Sequence, residues 1–598
     1  MNNLVIYFGT VVSLFLFIYI IPGIALLPKF ILNPRTAATI PFISISMVVS
    51  AQYILSTLNQ FNHKNVIIFT LALFLVAIYR LYGIYKVYLK FDSNWQKSDL
   101  KALLLIMFSS IPLMIILGFD GFQHADEIMS WNLWAKKIYF NEERILSGNI
   151  YPLLLSSLIA FCYKFIGNID YQLPIRFTFS IIYVSSLFIV YTFANSRNKV
   201  GILFITYIIV FLIIGVGYEY KKVWADTLMS GFMVASLALL ISLSNTQRHI
   251  NKNISPISIL LASIILISAA TLTKQGAIVW TMLIYPLLAY VIINNNNKLS
   301  NLLKLSLLVP ILTPILWYFI GGNNFHTNVG VINRSMGGRG YFDQILFGFN
   351  ESFIAEGRFI LLLFMLTIFI VLLRKINLEK VIIAFGITLS TIFLIFFGAY
   401  ETTRLYLHVI LFGWLVLFAY GDHITSTKIG SIISIIGNSL YTYSVVCVLF
   451  IFWTFNSFNY RMMITEPVTN FLDGRQVQVN WVIRESGVEQ YKNILESKMG
   501  LWAHDSHVWG IYYGVDNFKG RGGLRSGNDD IRGLVNSIID ENIGWIYSHE
   551  KKDLSEIKRI QDFCSGSIIK IDTSSNMYWQ TLNKIDIEIL KSCIEKNK

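Results

Sequence analysis

The stretch Leu4-Val-Ile-Tyr-Phe-Gly-Thr-Val-Val-Ser-Leu-Phe-Leu-Phe-Ile-Tyr-Ile-Ile-Pro-Gly-Ile-Ala-Leu-Leu27 runs for 24 residues without a charge. About 20 apolar residues in a helix cross the hydrocarbon core of a bilayer, so this stretch reads as a spanning helix. The preceding Met1-Asn2-Asn3 has no basic residue and no small-residue cleavage site is apparent, so the segment is expected to remain as a helix rather than be removed as a leader. Segments of the same kind lie near 38–57, 65–85, 102–118, 174–194, 201–217, 227–244, 254–271, 277–293, 305–320, 356–373, 381–397, 404–420 and 430–455, about fourteen in all. The segment 151–166 is shorter and interrupted, and is expected to lie as a helix at the membrane interface.

The composition of the whole chain agrees. Of 598 residues, 55% are hydrophobic and 14% charged, and the mean hydropathy is +0.58. A soluble domain carries about 25% charged residues, so the fold expected is a polytopic α-helical membrane protein. A second material begins after residue 456. Residues 1–456 hold 30 Lys and Arg against 16 Asp and Glu, whereas residues 457–598 hold 18 against 19. In this tail short apolar runs alternate with helical patterns, for instance Met499 to Ala503, Ile531 to Ile539, Ile543 to Tyr547 and Leu554 to Phe563. That alternation predicts a small soluble α/β domain over 457–598.

The net charge of +13 sorts by topology. The linker with Arg80, Lys86, Lys90, Lys97 and Lys101 is strongly basic, and basic loops stay on the cytoplasmic side. Alternating from there, inner loops hold 17 basic and 4 acidic residues and outer loops 13 and 12. The excess is thus a topological signal and implies no nucleic-acid partner. The same alternation puts the N-terminus and the C-terminal domain outside. Ionisable residues within the spans would mark a transporter, but the spans are nearly free of charge, and the acids collect at the outer face.

The outer loops contain the remaining candidates. Loop 321–355 carries Gly321-Gly322 and Gly337-Gly338-Arg339-Gly340, so it is either an ordinary flexible loop or a lid bringing Arg334 or Arg339 over a site. It is no P-loop, because no Gly-Lys-Ser/Thr follows. His504-Asp505-Ser506-His507 has metal-ligand residue types, but no further cluster completes a site, and none is expected. Cys564 and Cys593 fall in a compartment that permits disulfides, and the sequence leaves open whether they pair.

The loop with most chemistry reads Phe119-Asp-Gly-Phe-Gln-His-Ala-Asp126-Glu127-Ile-Met-Ser-Trp131-Asn-Leu-Trp134-Ala-Lys-Lys-Ile-Tyr139, followed by Tyr151-Pro152-Leu153-Leu154. Ile128, Trp131, Ala135 and Ile138 recur at helical spacing, predicting an amphipathic helix with Trp131 and Trp134 at the headgroup level. An Asp-Glu pair at its start stabilises the helix dipole, or does chemistry. Ala225-Asp226, Thr273-Lys274-Gln275-Gly276 and Glu401-Thr402-Thr403-Arg404-Leu405-Tyr406 lie on the same predicted face.

Taken in order, these motifs resemble the GT-C superfamily of membrane glycosyltransferases, and the first loop looks like that of protein O-mannosyltransferases and lipid A aminoarabinose transferases. The resemblance covers about residues 100–420. It implies a catalytic region over 101–456 with outer loops 119–173 and 321–355, preceded by extra N-terminal helices in residues 1–100. It further implies a polyprenyl-phosphate-linked sugar as donor, an envelope glycan, lipid or protein as acceptor, inversion at the sugar, and the cytoplasmic membrane of a bacterium. Carried onto this chain, the general base is Asp126, oriented by Glu127, with Asp120 and Asp226 as alternatives. Lys274 and Arg404, then Lys221 and Lys222, would bind the donor phosphate; Lys221, Lys222 and Arg404 read equally as cations snorkelling to headgroups. No cofactor beyond the donor is implied, and the need for a divalent ion is left open. Two other functions compete: a flippase or transporter for a lipid-linked glycan, and a non-catalytic membrane protein of envelope assembly.

Overall fold

The computed structural model describes residues 2–88, 95–119, 131–141, 153–169, 171–193, 223, 225–244, 254–274, 277–294, 306–320, 341–350, 359–373, 376–397, 402–421, 500–503, 518–519, 531–540, 542–548, 551–571 and 581–596. The chain is mostly helical. Its helices are α1 (Asn2–Leu14), α2 (Ile21–Leu26), α3 (Pro34–Ala37), α4 (Ile40–Thr57), α5 (His63–Tyr88), α6 (Lys97–Phe119), α7 (Leu133–Tyr139), α8 (Leu154–Ile166), α9 (Gln172–Thr178) and α10 (Ser180–Thr192). They continue with α11 (Ala225–Ser244), α12 (Pro256–Thr271), α13 (Ala277–Asn294), α14 (Val309–Ile320), α15 (Tyr341–Phe349), α16 (Phe359–Leu373), α17 (Leu378–Phe397) and α18 (Thr402–Tyr420).

Five stretches among the described residues are long and apolar enough to cross a membrane: Val5–Leu26, Pro34–Thr57, His63–Lys86, Gln172–Thr192 and Ala225–Ser244. The protein is a helical membrane protein. α6, α12, α13, α14, α16, α17 and α18 occupy seven further segments picked out by hydropathy, while 201–217 and 430–455 lie outside the described residues. A π-helical turn, Phe15–Ile20, joins α1 to α2.

Burial separates the helices that face lipid from those that face protein. The stretch containing α5 is only 22% buried and exposes Leu71, Leu75, Ile78 and Tyr82, side chains that water would not tolerate as a stripe. That containing α11 is 89% buried and is surrounded by α10, α12, α13 and α18. Membrane helices approach closely where a residue is small, and two glycines do this here. A Cβ on Gly231 of α11 would fall 2.3 Å from the Phe42 ring of α4. A Cβ on Gly386 of α17 would fall 2.7 Å from the Cα of Leu283 in α13, where backbone cannot give way. Gly386→Ala is therefore expected to push α13 and α17 apart at a cost of about 1–3 kcal/mol, seen as a lowered Tm of the detergent-purified protein.

Every residue of α8 from Leu154 to Tyr163 is buried, and the helix packs on α4 and α5. Ser156 and Ser157 are small enough to be enclosed with its apolar side chains. Residues Trp131 and Ala135 are buried as well, so the aromatic at 131 is enclosed by protein.

The described residues between 500 and 596 form a five-stranded sheet with strands β1 (Gly500–Ala503), β2 (Phe518–Lys519), β3 (Ile543–Ser548), β4 (Ile568–Ile571) and β5 (Thr581–Ile585). The order is β2-β1-β3-β5-β4. β1 runs parallel to β2 and β3, and β5 runs antiparallel to β3 and β4. Three helices, α19 (Ile531–Asp540), α20 (Lys551–Phe563) and α21 (Ile587–Lys596), accompany the sheet. Val535, Ile538, Ile543, Ile546, Ile560 and Leu590 form a core with no exposed surface. Cys564 and Cys593 are disulfide-bonded across a separation of 29 residues, which settles the pairing left open by the sequence. A loop of that length restrained in the unfolded chain contributes about 3–4 kcal/mol. Cys593→Ser should therefore make residues 531–596 open to protease at a lower denaturant concentration than in the wild type.

Candidate functional site

Asp226 begins α11 and Lys274 follows the end of α12, so two antiparallel helices bring together residues 48 positions apart. The Lys274 Nζ donates to both carboxylate oxygens of Asp226, at 2.8 and 2.7 Å. The Asp226 side chain keeps 4% of its surface and that of Lys274 20%, so Lys274 is the more exposed member of a largely buried pair. Burying two charges is costly unless each satisfies the other, and the bidentate geometry does so. Asp226 also lies in the first turn of α11, where the helix dipole favours an anion.

The turn that presents Lys274 is itself fixed. The Thr273 Oγ1 donates to the Ala269 carbonyl at 2.8 Å, and the Ala277 N–H donates to the Lys274 carbonyl at 3.0 Å. The Leu154 N–H donates to the Leu272 carbonyl at 3.1 Å. This last bond joins the Leu153-Leu154 element to the Lys274 turn, so three of the short motifs picked out in the sequence, around Leu154, Asp226 and Lys274, share one end of the bundle.

The opposite end of α11 has its own polar cluster. The Ser244 Oγ donates to Glu379 Oε1 at 2.6 Å, and the Tyr420 hydroxyl donates to the same oxygen. Glu379 is 4% exposed and sits in the first turn of α17. Ser244 ends α11 and Tyr420 ends α18, so these packed helices run in the same direction. Their first turns, with Asp226 on one and the Arg404 position on the other, consequently lie at a common end. Eighteen helical residues from Asp226 to Ser244 span about 27 Å, close to a hydrocarbon thickness. Glu379 appears in the sequence as a loop acid; its partners are far away in the chain, and only the fold reveals that it ties three helix ends together.

Asp99, the other described acid in the loops expected on the inner side, caps α6 by accepting from the Gln96 N–H at 2.8 Å. Burial pushes its carboxyl up, while that N–H and the Arg35 charge oppose the shift. Arg176, which opens the span after α8 in sequence, is buried within α9.

Asp126, Glu127, Asp120, Lys221, Lys222, Arg334, Arg339 and the His504-Asp505-Ser506-His507 run lie outside the described residues. Among the described residues no group of three His, Cys, Asp or Glu side chains forms a metal site. No protein-family model, no curated protein and no solved structure matches this chain. The site stands on its own chemistry. It offers a buried carboxylate holding a partly exposed lysine at a helix end.

Proposed function

We propose that the protein is an inverting glycosyltransferase of GT-C type, moving a sugar from a polyprenyl phosphate to an envelope glycan, lipid or protein at the outer face of a bacterial cytoplasmic membrane. The observation that supports it best is the Asp226–Lys274 pair, held at one end of a 20-residue helix that carries no charge beyond Asp226, beside the Leu154 element. A polyprenyl-phosphate sugar lies with its chain in the bilayer and its phosphate at the headgroup level, which is where a cation at the end of such a helix would meet it.

The roles follow from the reaction. An acceptor hydroxyl attacks the anomeric carbon as the bond to the phosphate oxygen breaks, and the electron pair leaves with the phosphate. The departing oxygen gains charge, and a preplaced cation lowers the barrier most there. Lys274 takes this role. Asp226 acts as its counter-ion, holding the ammonium at the headgroup end until the donor phosphate shares it. With both its oxygens engaged by Lys274, Asp226 is better suited to positioning than to accepting a proton, so the base remains Asp126, oriented by Glu127. Arg404, on the first turn of the parallel helix α18, supplies a second cation toward the same phosphate, with Lys221 and Lys222 as further candidates. The phosphate is a weak base and leaves without a general acid, and a divalent ion is no required part of this scheme. The extracytoplasmic C-terminal α/β domain would help select the acceptor, and Arg334 or Arg339 would reach the phosphate if loop 321–355 acts as a lid.

Incubating the full-length protein with polyprenyl-phosphate sugars and acceptor extracts, and weighing the products, tests this reading. Free polyprenyl phosphate and an acceptor heavier by one sugar are expected; an unchanged donor with every sugar offered would refute it.

A further inference from the structure

At the end of the bundle opposite Lys274, a groove of about 450 Å³ opens between the end of α2, the 3-10 turn Pro28–Leu32, the last turns of α5 and the start of α12. Ligand pockets fall in the range of roughly 300–1,000 Å³. Among the described residues the polar lining comprises Lys29, Arg80, Ser255 and Ser258, with no acid, and the rest is apolar, including Leu26 and Ile84.

Three independent features give it an anionic preference. Lys29 and Arg80 contribute two positive charges. Arg80 is fixed in place by its Nη1, which donates at 2.8 Å to the carbonyls of Ala25 and Leu26 and so caps α2. Its Nε and Nη2 bond no acceptor among the described residues. Third, the groove receives the N-terminus of the 16-residue helix α12, where Ser255 at the N-cap makes no side-chain capping bond, leaving first-turn N–H groups for an incoming oxygen.

The surroundings specify that this anion belongs to a lipid. Exposed apolar side chains flank the groove, Leu26 at 38% and Ile257 at 41%, and Tyr82 and Tyr85 on α5 are more than half exposed, as aromatic rings are at a headgroup layer. α5 is the helix most open to the membrane. Gly83 lines the groove, and a Cβ there would meet nothing within 4 Å, so a notch lies open from the cationic floor to that lipid-facing surface. We infer that this groove binds the phosphate of an anionic phospholipid, on the side of the membrane where the basic loops lie. The inference does not depend on the transferase reading, because it concerns the other end of the bundle.

The test uses full-length protein in neutral detergent, titrated with phosphatidylglycerol or phosphatidylcholine and read by native mass spectrometry and by Tm. Phosphatidylglycerol should bind the wild type at least tenfold more tightly than phosphatidylcholine. One surface cation contributes about 1 kcal/mol toward an anionic lipid, so Lys29→Gln should weaken phosphatidylglycerol about fivefold. Ser258→Asp and Gly83→Trp, which place a like charge and a bulky ring in the groove, should abolish the preference without lowering the Tm of the lipid-free protein. Equal binding of both lipids by the wild type would overturn the inference, as would a preference that all three variants retain. Inorganic phosphate that raised the Tm as much as phosphatidylglycerol at equal concentration would also overturn it, by showing a site for a soluble anion.

Discussion

Lys274→Met will lower the stability of the protein by about 3 kcal/mol and reduce sugar transfer at least 100-fold. The first effect follows from removing the ammonium that both carboxylate oxygens of Asp226 accept from, on a side chain that is only 4% exposed. Breaking a buried pair costs about 3–5 kcal/mol, and the lower end applies because Lys274 keeps a fifth of its surface. The second follows from losing one cation at the departing phosphate, a loss of about 10²–10³ in kcat where a single such donor is removed. The double variant Asp226→Asn/Lys274→Met separates the two. It buries no charge, so its Tm should return to within a few degrees of the wild type, while transfer stays at the level of the single variant. Recovery of transfer together with stability would make the pair a structural fastening only.

Asp126→Asn should leave the Tm unchanged and reduce kcat by about 10²–10⁴, the contribution of a positioned general base, with little effect on donor KM because the donor phosphate is held elsewhere. Asn is nearly isosteric with Asp, so a folded protein that transfers at the full rate would take the base away from Asp126. Asp120 would then be the next candidate, since the pairing with Lys274 engages Asp226.

The helices were legible because length and apolarity are local properties. The segment 65–85 became α5 and 227–244 became α11, each with ends displaced by only a few residues. Burial was less legible. An apolar segment such as 154–163 carries no mark of which neighbours enclose it, and only the fold shows its packing on α4 and α5. The site was half legible. Asp226 and Lys274 each stood out as a charge at the end of an apolar span, which is costly and therefore informative. Their pairing was not, because it depends on α11 and α12 packing antiparallel, and the chain between two residues 48 positions apart contains no mark of it. The separate roles expected of them, a reserve base and a phosphate ligand, thus become one device in which the carboxylate holds the cation. Glu379 shows the same limit from the other side: an acid counted with the loop charges turned out to be enclosed by Ser244 and Tyr420.

The most direct test of the account follows the sugar and the lipid separately. The full-length protein is reconstituted in vesicles with a polyprenyl-phosphate sugar carrying a label in its sugar, an acceptor is added, and the label is tracked between lipid and acceptor. The account predicts that the label leaves the lipid for the acceptor with inverted anomeric configuration, and that Lys274→Met stops this. Label that stays on the lipid and merely changes leaflets would contradict it and identify a flippase.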